Sequence, residues 1–367
     1  MMSPSTLPAT VSNPMILRWT IGCIAGLLII AVTSPCFVRS YTPRVVQPQR
    51  NALTLQPGAE YRWRSEGYAN TQIGPLGMPG ASPPLPLNPS TVHLALWGDS
   101  QAEGVCVADD QKIAAQTHHL SAERIDVLPF ARSGDDCNDW LPQITSLQRS
   151  SIKLDAHVFL LVEWSDWCQP VRQPSSITDQ QFDWVAEQLP AFLIQATRNV
   201  LTTGTDNQFR RLRFRPGPIT SNSSATAVAP AAVTEQPDQW TSRVAMLAVQ
   251  LARLKHQTRL PCIFLYAPLS PAIINGDILW DDPDDDLFQA MQSIAAELGF
   301  DVVDLRHQMQ QSVRTGKQWP RGFHNGQFGV GHYNAVGYRI ISAALAAHPR
   351  LDALPLTSTA NTVTAER

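Results

Sequence analysis

Charge is scarce in this sequence. Only 16% of its 367 residues are Asp, Glu, Lys or Arg, and the net charge is −3. A nucleic-acid partner is disfavoured, because binding phosphates calls for a basic face. Among the six cysteines there is no C-x-x-C pair, which removes the common zinc-site spacings. No internal repeat is present. What remains is a chain of ordinary apolar content, 44%, long enough for one large core or two modest ones.

Charge is also missing locally. Trp19 to Val38 is a run of 20 residues without a charged side chain, dominated by Ile, Leu, Ala, Val and Gly. That is about the length needed to cross a bilayer. An uncleaved anchor and a signal peptide cut near Ala31-Val32-Thr33-Ser34 both fit, with Pro35 breaking the run. The anchor is the reading taken. Arg18 stands alone before the run while Arg39, Arg44 and Arg50 follow it, so flanking charge does not orient it. Pro35 before Cys36 argues against a lipoprotein anchor. Either way, the catalytic part is expected at the membrane outside the cytoplasm, or secreted or periplasmic after cleavage. Cys106, Cys137, Cys168 and Cys262 lie in the body of the chain. A disulfide, Cys137 with Cys168, would suit an oxidising compartment, and buried thiols fit equally.

The chain divides at changes in composition. Residues 1–39 carry the apolar segment. Residues 40–90 are rich in Pro and Gly and read as an extended lead-in that packs over the domain without a core of its own. Residues 91–350 alternate strands at 92–97, 125–130, 157–163, 261–266 and 301–305 with helices near 110–121, 138–148, 178–202, 237–256, 284–298 and 334–347. Continuous apolar strands separated by helices indicate a parallel sheet covered on both faces. Residues 203–236 interrupt the rhythm as a flexible insertion. Its arginines, Arg210 to Arg215, read as a solvated basic hairpin. Residues 351–367 form a tail. The acidic run Asp281 to Asp286 reads as helix capping in preference to a calcium loop.

In a doubly wound sheet, ligands bind beyond the carboxyl ends of the strands. Three segments there carry chemistry. Gly98-Asp99-Ser100 follows the first strand and offers a hydroxyl nucleophile, which needs a base to take its proton. His332, just before the last helix, is that base. Ser133-Gly134-Asp135-Asp136 offers the Gly134 N–H, and Glu163-Trp164-Ser165-Asp166 ends the third strand. The Ser100 and Gly134 N–H groups are suited to form an oxyanion hole, in which one lost donor typically costs about 10²–10³ in turnover. Asp99, Asp166 and His324 are candidate supporting groups. Trp164 and Trp167 could stack on a sugar ring or pack in the core.

In these blocks the chain resembles the SGNH (GDSL-type) hydrolase superfamily, over roughly residues 92–348. Gly98-Asp99-Ser100 matches the nucleophile block, Gly134 the glycine block, Glu163-Trp164-Ser165-Asp166 the block usually written Gly-x-Asn-Asp, and His332 the last. Glu103-Gly104-Val105 is similar to exported bacterial members. The resemblance implies a three-layer α/β/α sandwich with a flavodoxin-like parallel sheet. It also implies a Ser–His mechanism on esters, often acyl groups such as acetyl on carbohydrate or lipid, with no metal or organic cofactor. Two positions depart from the pattern. Ser165 stands where the family has its oxyanion asparagine, and Gly329 stands where it has the aspartate that orients the histidine. The site would then work as a dyad, borrow a carboxylate from elsewhere, or be inactive. An O-acyltransferase and a non-catalytic carbohydrate-binding or assembly protein on the same fold are the alternatives.

Overall fold

The computed structural model describes residues 14–37, 44–64, 66–80, 82–172, 237–274 and 276–354. The first element is a helix, α1 (Pro14–Phe37). Its apolar stretch, Pro14–Thr33, is long and apolar enough to cross a membrane, as a signal sequence also is. Pro35 does not end it, since the helix runs on to Phe37.

The segment expected to be extended folds into two antiparallel hairpins: β1 (Arg44–Gln47) with β2 (Ala52–Leu55), and β3 (Glu60–Trp63) with β4 (Ala69–Gln72). Four-residue strands are too short to show a period, which hid them in the sequence. This lead-in does pack over the domain, and it shares the domain's core: Leu76 and Met78 are buried among Trp97, Phe130 and Trp140. Arg50, fully buried, anchors it by donating to Gln143 Oε1 (2.9 Å), the Leu76 carbonyl (3.0 Å) and the Phe130 carbonyl (2.6 Å). A buried cation is tolerable only when its donors are satisfied in this way.

The main domain follows as β5 (Val92–Trp97), α2 (Ser100–Glu103), α3 (Ile113–Leu120), β6 (Ile125–Pro129), α4 (Cys137–Gln148), β7 (Ala156–Leu161), α5 (Pro237–Gln257), β8 (Cys262–Tyr266), a hairpin of β9 (Ala272–Ile274) and β10 (Asp277–Leu279), α6 (Asp285–Leu298), β11 (Asp301–Asp304), α7 (Arg306–Arg314), α8 (Ala335–Ala346) and α9 (Pro349–Asp352). Five strands pair in parallel in the order β11-β8-β7-β5-β6. This is the flavodoxin-like order, with its switch point between β5 and β7. The strands are apolar throughout because helices cover both faces. Trp97, Phe159 and Phe264 pack against α4, α5 and α6 on one side. Leu96, Val158 and Leu265 pack against α3, α7 and α8 on the other. The expected three-layer α/β/α sandwich is the observed fold.

Several local expectations change. The helix expected at 178–202, the 203–236 insertion with Arg210–Arg215, and the tail from 355 onward lie outside the described residues. No disulfide joins Cys137 to Cys168; Cys137 is a buried thiol in the core. Trp164 and Trp167 are core residues, so neither can stack on a sugar. In the acidic run 281–286, Asp285 and Asp286 lie in the first turn of α6 as the helix-dipole reading expects, while Asp284 pairs with Arg243 at 2.9 Å and Arg306 pairs with Asp285 and, at 3.5 Å, with Asp282. Asp284, at the N-cap of α6, makes no capping hydrogen bond with its side chain.

Candidate active site

The carboxyl ends of β5, β6 and β7 present three loops at the switch point. After β5, Asp99 caps the short helix α2, its side chain accepting from Gln101 N at 2.9 Å. That leaves the neighbouring Ser100 hydroxyl free of any capping duty. Gly98 allows the turn, because a Cβ there would lie 2.5 Å from Ala102 Cβ. Ser100 Oγ lies 3.0 Å from His332 Nε2 and 3.2 Å from Asp99 Oδ2, one proton facing two acceptors.

His332 sits on a loop that is tied down from several sides. The Gly322 N–H donates to the His332 carbonyl (2.9 Å), and the next residue, Tyr333, donates its N–H to Gln101 Oε1 (3.1 Å). Gln101 also receives the Tyr338 hydroxyl on its carbonyl (2.8 Å). The residue after the serine therefore holds the residue after the histidine, which fixes the Ser100–His332 pair in register. Buried Arg321 adds donors to the carbonyls of Leu269, Gly329 and Gly331.

The carboxylate that the sequence did not reveal is Glu66, from the turn between β3 and β4. Its Oε2 accepts from His332 Nδ1 at 2.5 Å and from the His332 backbone N–H at 3.2 Å. Glu66 is held in place by Gly67, whose N–H donates to Asn325 Oδ1 (2.8 Å) and whose carbonyl accepts from Asn325 Nδ2 (3.2 Å). Gly331 makes room for it: with φ +85°, a Cβ there would fall 1.7 Å from Glu66 Oε1. Burial alone would raise the Glu66 pKa. Hydrogen bonds from the His332 side chain and backbone, with the charges of His332 and Arg321, outweigh burial and hold it below the usual value. Glu66 is thus held ionised against His332 Nδ1. Gly329, the position where an aspartate was expected, has φ +74° and lies against Ile273 and Trp319, so no carboxylate fits there.

The loop after β6 is braced by acids. Glu103, buried at the end of α2, accepts from the Ser133 N–H at 2.7 Å and from the Ser133 hydroxyl. Arg132 pairs with Asp135 and donates to the Leu53 carbonyl of the lead-in. Gly134 between them has φ +83°, with open space where a Cβ would point. Asp136 and Asp139 then start α4 with a reciprocal capping box.

After β7, Ser165 is exposed on the turn Trp164–Asp166, and Asp166 beside it is buried with Oδ2 unpartnered. Burial, and then the charges of Asp99, Glu163, Asp136 and Asp135, push the Asp166 carboxyl up to about 8. His324 takes no part in the hydrogen-bonded chain and stacks instead on Tyr68, with centroids 6.3 Å apart. Of the residues expected from the sequence, the structure joins Ser100, His332 and Asp99 by direct contact. Gly134 and Ser165 are on neighbouring loops at the same sheet edge, and His324 stands aside.

No protein-family model matches the chain, and no curated protein does. Solved structures similar to it include a lipolytic G-D-S-L family member from Veillonella parvula, at 12% identity over 71% of this chain and 100% of that one, with TM-score 0.37. A carbohydrate acetylesterase from Sinorhizobium meliloti is similar at 8% identity over 70% and 97%, with TM-score 0.34. An inhibitor-bound aryl esterase of M. smegmatis is similar at 10% identity over 72% and 100%, with TM-score 0.36. These superpositions are loose.

Proposed function

We propose that the chain is an SGNH-type serine esterase with a Glu66–His332–Ser100 triad. The observation that carries this reading is the continuous hydrogen-bonded chain from Glu66 Oε2 through both ring nitrogens of His332 to Ser100 Oγ. Glu66 accepts the Nδ1 proton and so leaves a lone pair on Nε2 facing the hydroxyl. Ser100 Oγ attacks an acyl carbonyl while Nε2 takes its proton. The imidazolium that forms is stabilised by the Glu66 carboxylate, then returns the proton to the leaving alcohol. The backbone N–H groups of Ser100 and Gly134, with the Ser165 hydroxyl, receive the oxyanion. Water deacylates the enzyme by the same steps in reverse order of roles.

The substrate is an acylated carbohydrate or lipid, and the enzyme is held by α1 at a membrane with its catalytic domain outside the cytoplasm. If a sugar hydroxyl replaces water in the second step, the same residues perform O-acyl transfer.

The test is hydrolysis of p-nitrophenyl acetate and butyrate by the full chain, beside Ser100→Ala and His332→Ala, with labelling by a fluorophosphonate. Turnover and labelling in the wild type, lost in both folded variants, are expected. A folded wild type that neither labels nor turns over would sink the esterase reading in favour of a binding protein on this fold. Accessibility of the domain to protease in intact cells tests the location.

A further inference from the structure

One cysteine beside the proposed triad has no part in ester hydrolysis. Cys106, buried two residues beyond Gly104, places its sulfur with a Glu66 carboxylate oxygen and a His332 ring nitrogen, all within 4.8 Å of one another. These three ligand types are those of zinc sites. They come from three separate segments, so no sequence spacing announces them. On a tetrahedral Zn²⁺, at ordinary bond lengths, such atoms stand about 3.4–3.6 Å apart. The observed spacing, at most 4.8 Å, thus lies within about 1.5 Å of that of a zinc site. The His332 and Glu66 side chains are 21% and 25% exposed, which leaves a route in from solvent.

We infer that Glu66, Cys106 and His332 form an inhibitory site for a thiophilic divalent cation such as Zn²⁺ or Cd²⁺. On binding, the Cys106 S–H bond breaks and its proton leaves to solvent. The sulfur lone pair, a Glu66 lone pair and one ring-nitrogen lone pair fill three positions, and water fills the fourth. If Nδ1 is the ligand, its proton moves to Nε2. Whichever nitrogen coordinates, His332 can no longer accept from Ser100 and donate to Glu66 together, so the triad is switched off. Burial, with the charges of Glu66 and Glu103, pushes the Cys106 thiol up, so metal coordination, which holds a thiol deprotonated, has to offset that cost. The binding half of this inference is independent of the esterase reading; the inhibition half rests on it.

The experiment titrates Cd²⁺ into the full-length chain carrying Ser100→Ala, reading the ultraviolet thiolate-to-cadmium charge-transfer band and the bound stoichiometry. One equivalent with a thiolate band is expected, and its affinity should fall at least 10-fold on adding either Cys106→Ala or His332→Ala. Exposed Cys23 and Cys36 are common to all three proteins, so the difference reports the buried site. Should Cys106→Ala not fold, His332→Ala, on its surface loop, carries the comparison. Unchanged Cd²⁺ binding in the folded variants overturns the site. In a second arm, Zn²⁺ should abolish p-nitrophenyl acetate turnover and a chelator should restore it. Tight thiolate binding with undiminished turnover would overturn the inhibition alone.

Discussion

Glu66 and His332, 266 positions apart in the chain, share a hydrogen bond of 2.5 Å. In the proposed triad this contact takes the place of an acid that cannot stand at Gly329, and it brings the N-terminal lead-in to the candidate active site. Changing Glu66 to Gln keeps the shape but removes the charge that stabilises the imidazolium. Turnover should drop by about 10³–10⁴ with the fold intact. Steady-state kinetics with a thermal melt check this; wild-type kcat in Glu66→Gln would exclude Glu66 from the triad. Adding Gly329→Asp should not restore activity, since a side chain there meets Ile273 and Trp319 within about 3 Å, as the 2.9 and 3.0 Å approaches indicate.

Gly331→Ala tests the space that Glu66 occupies. A methyl group 1.7 Å from Glu66 Oε1 must push the carboxylate away, and φ +85° adds backbone strain. A misplacement of about 1 Å can cost on the order of 10² in rate. The expected outcome is a kcat loss of that size, with the Glu66→Gln defect and the Gly331→Ala defect less than additive in the double variant. Full additivity would place the Gly331 effect elsewhere.

Glu103 accepts from the Ser133 N–H at 2.7 Å and so braces the residue before Gly134, a proposed oxyanion donor. Glu103→Ala should lower kcat by about 10–10² and leave KM near its wild-type value, because that donor acts on the transition state. Glu103→Gln, which can still accept from Ser133, should recover much of the loss. Equal losses in kcat and in fluorophosphonate binding by simple unfolding would show in the melting curve and count against a positioning role.

Asp166 makes stability depend on pH. Its folded pKa, raised to about 8, exceeds the unfolded value, so the folded state carries an extra proton between roughly pH 4 and pH 8. Stability therefore falls as pH rises through that window. Between pH 6 and pH 9 the wild type should lose on the order of 5 °C in Tm more than Asp166→Asn, which has no proton to lose. Parallel Tm curves for the two proteins would show that Asp166 is already ionised at pH 6.

The strands of the main sheet were legible because each is a short apolar run bounded by turn residues, and β5, β6, β7, β8 and β11 fall where those runs lie, whereas the short hairpin of β9 and β10 was not foreseen. Ser100 and His332 were legible because a strand end and a helix start flank them. Glu66 was not. It sits between two four-residue strands whose pairing is fixed by tertiary contacts, and nothing local distinguishes it from a surface glutamate. Helix α7 was missed for a related reason: Arg306–Arg314 is almost wholly polar, with only Met309 and Val313 buried. The acidic run 281–286 was expected at a helix start, and it is there, but the pairing of Asp284 with Arg243 depends on a partner that approaches only after folding.

The order in which the triad residues leave the ribosome follows from the lead-in hairpin that carries Glu66. The acid emerges first, the nucleophile next, and the base only after more than two hundred further residues, as the 232-residue gap between Ser100 and His332 requires. On the proposed mechanism, a growing chain therefore holds the serine and the carboxylate before their base exists. Competence would arrive only when the loop before α8 joins the other two, so such an enzyme is chemically silent throughout its own synthesis.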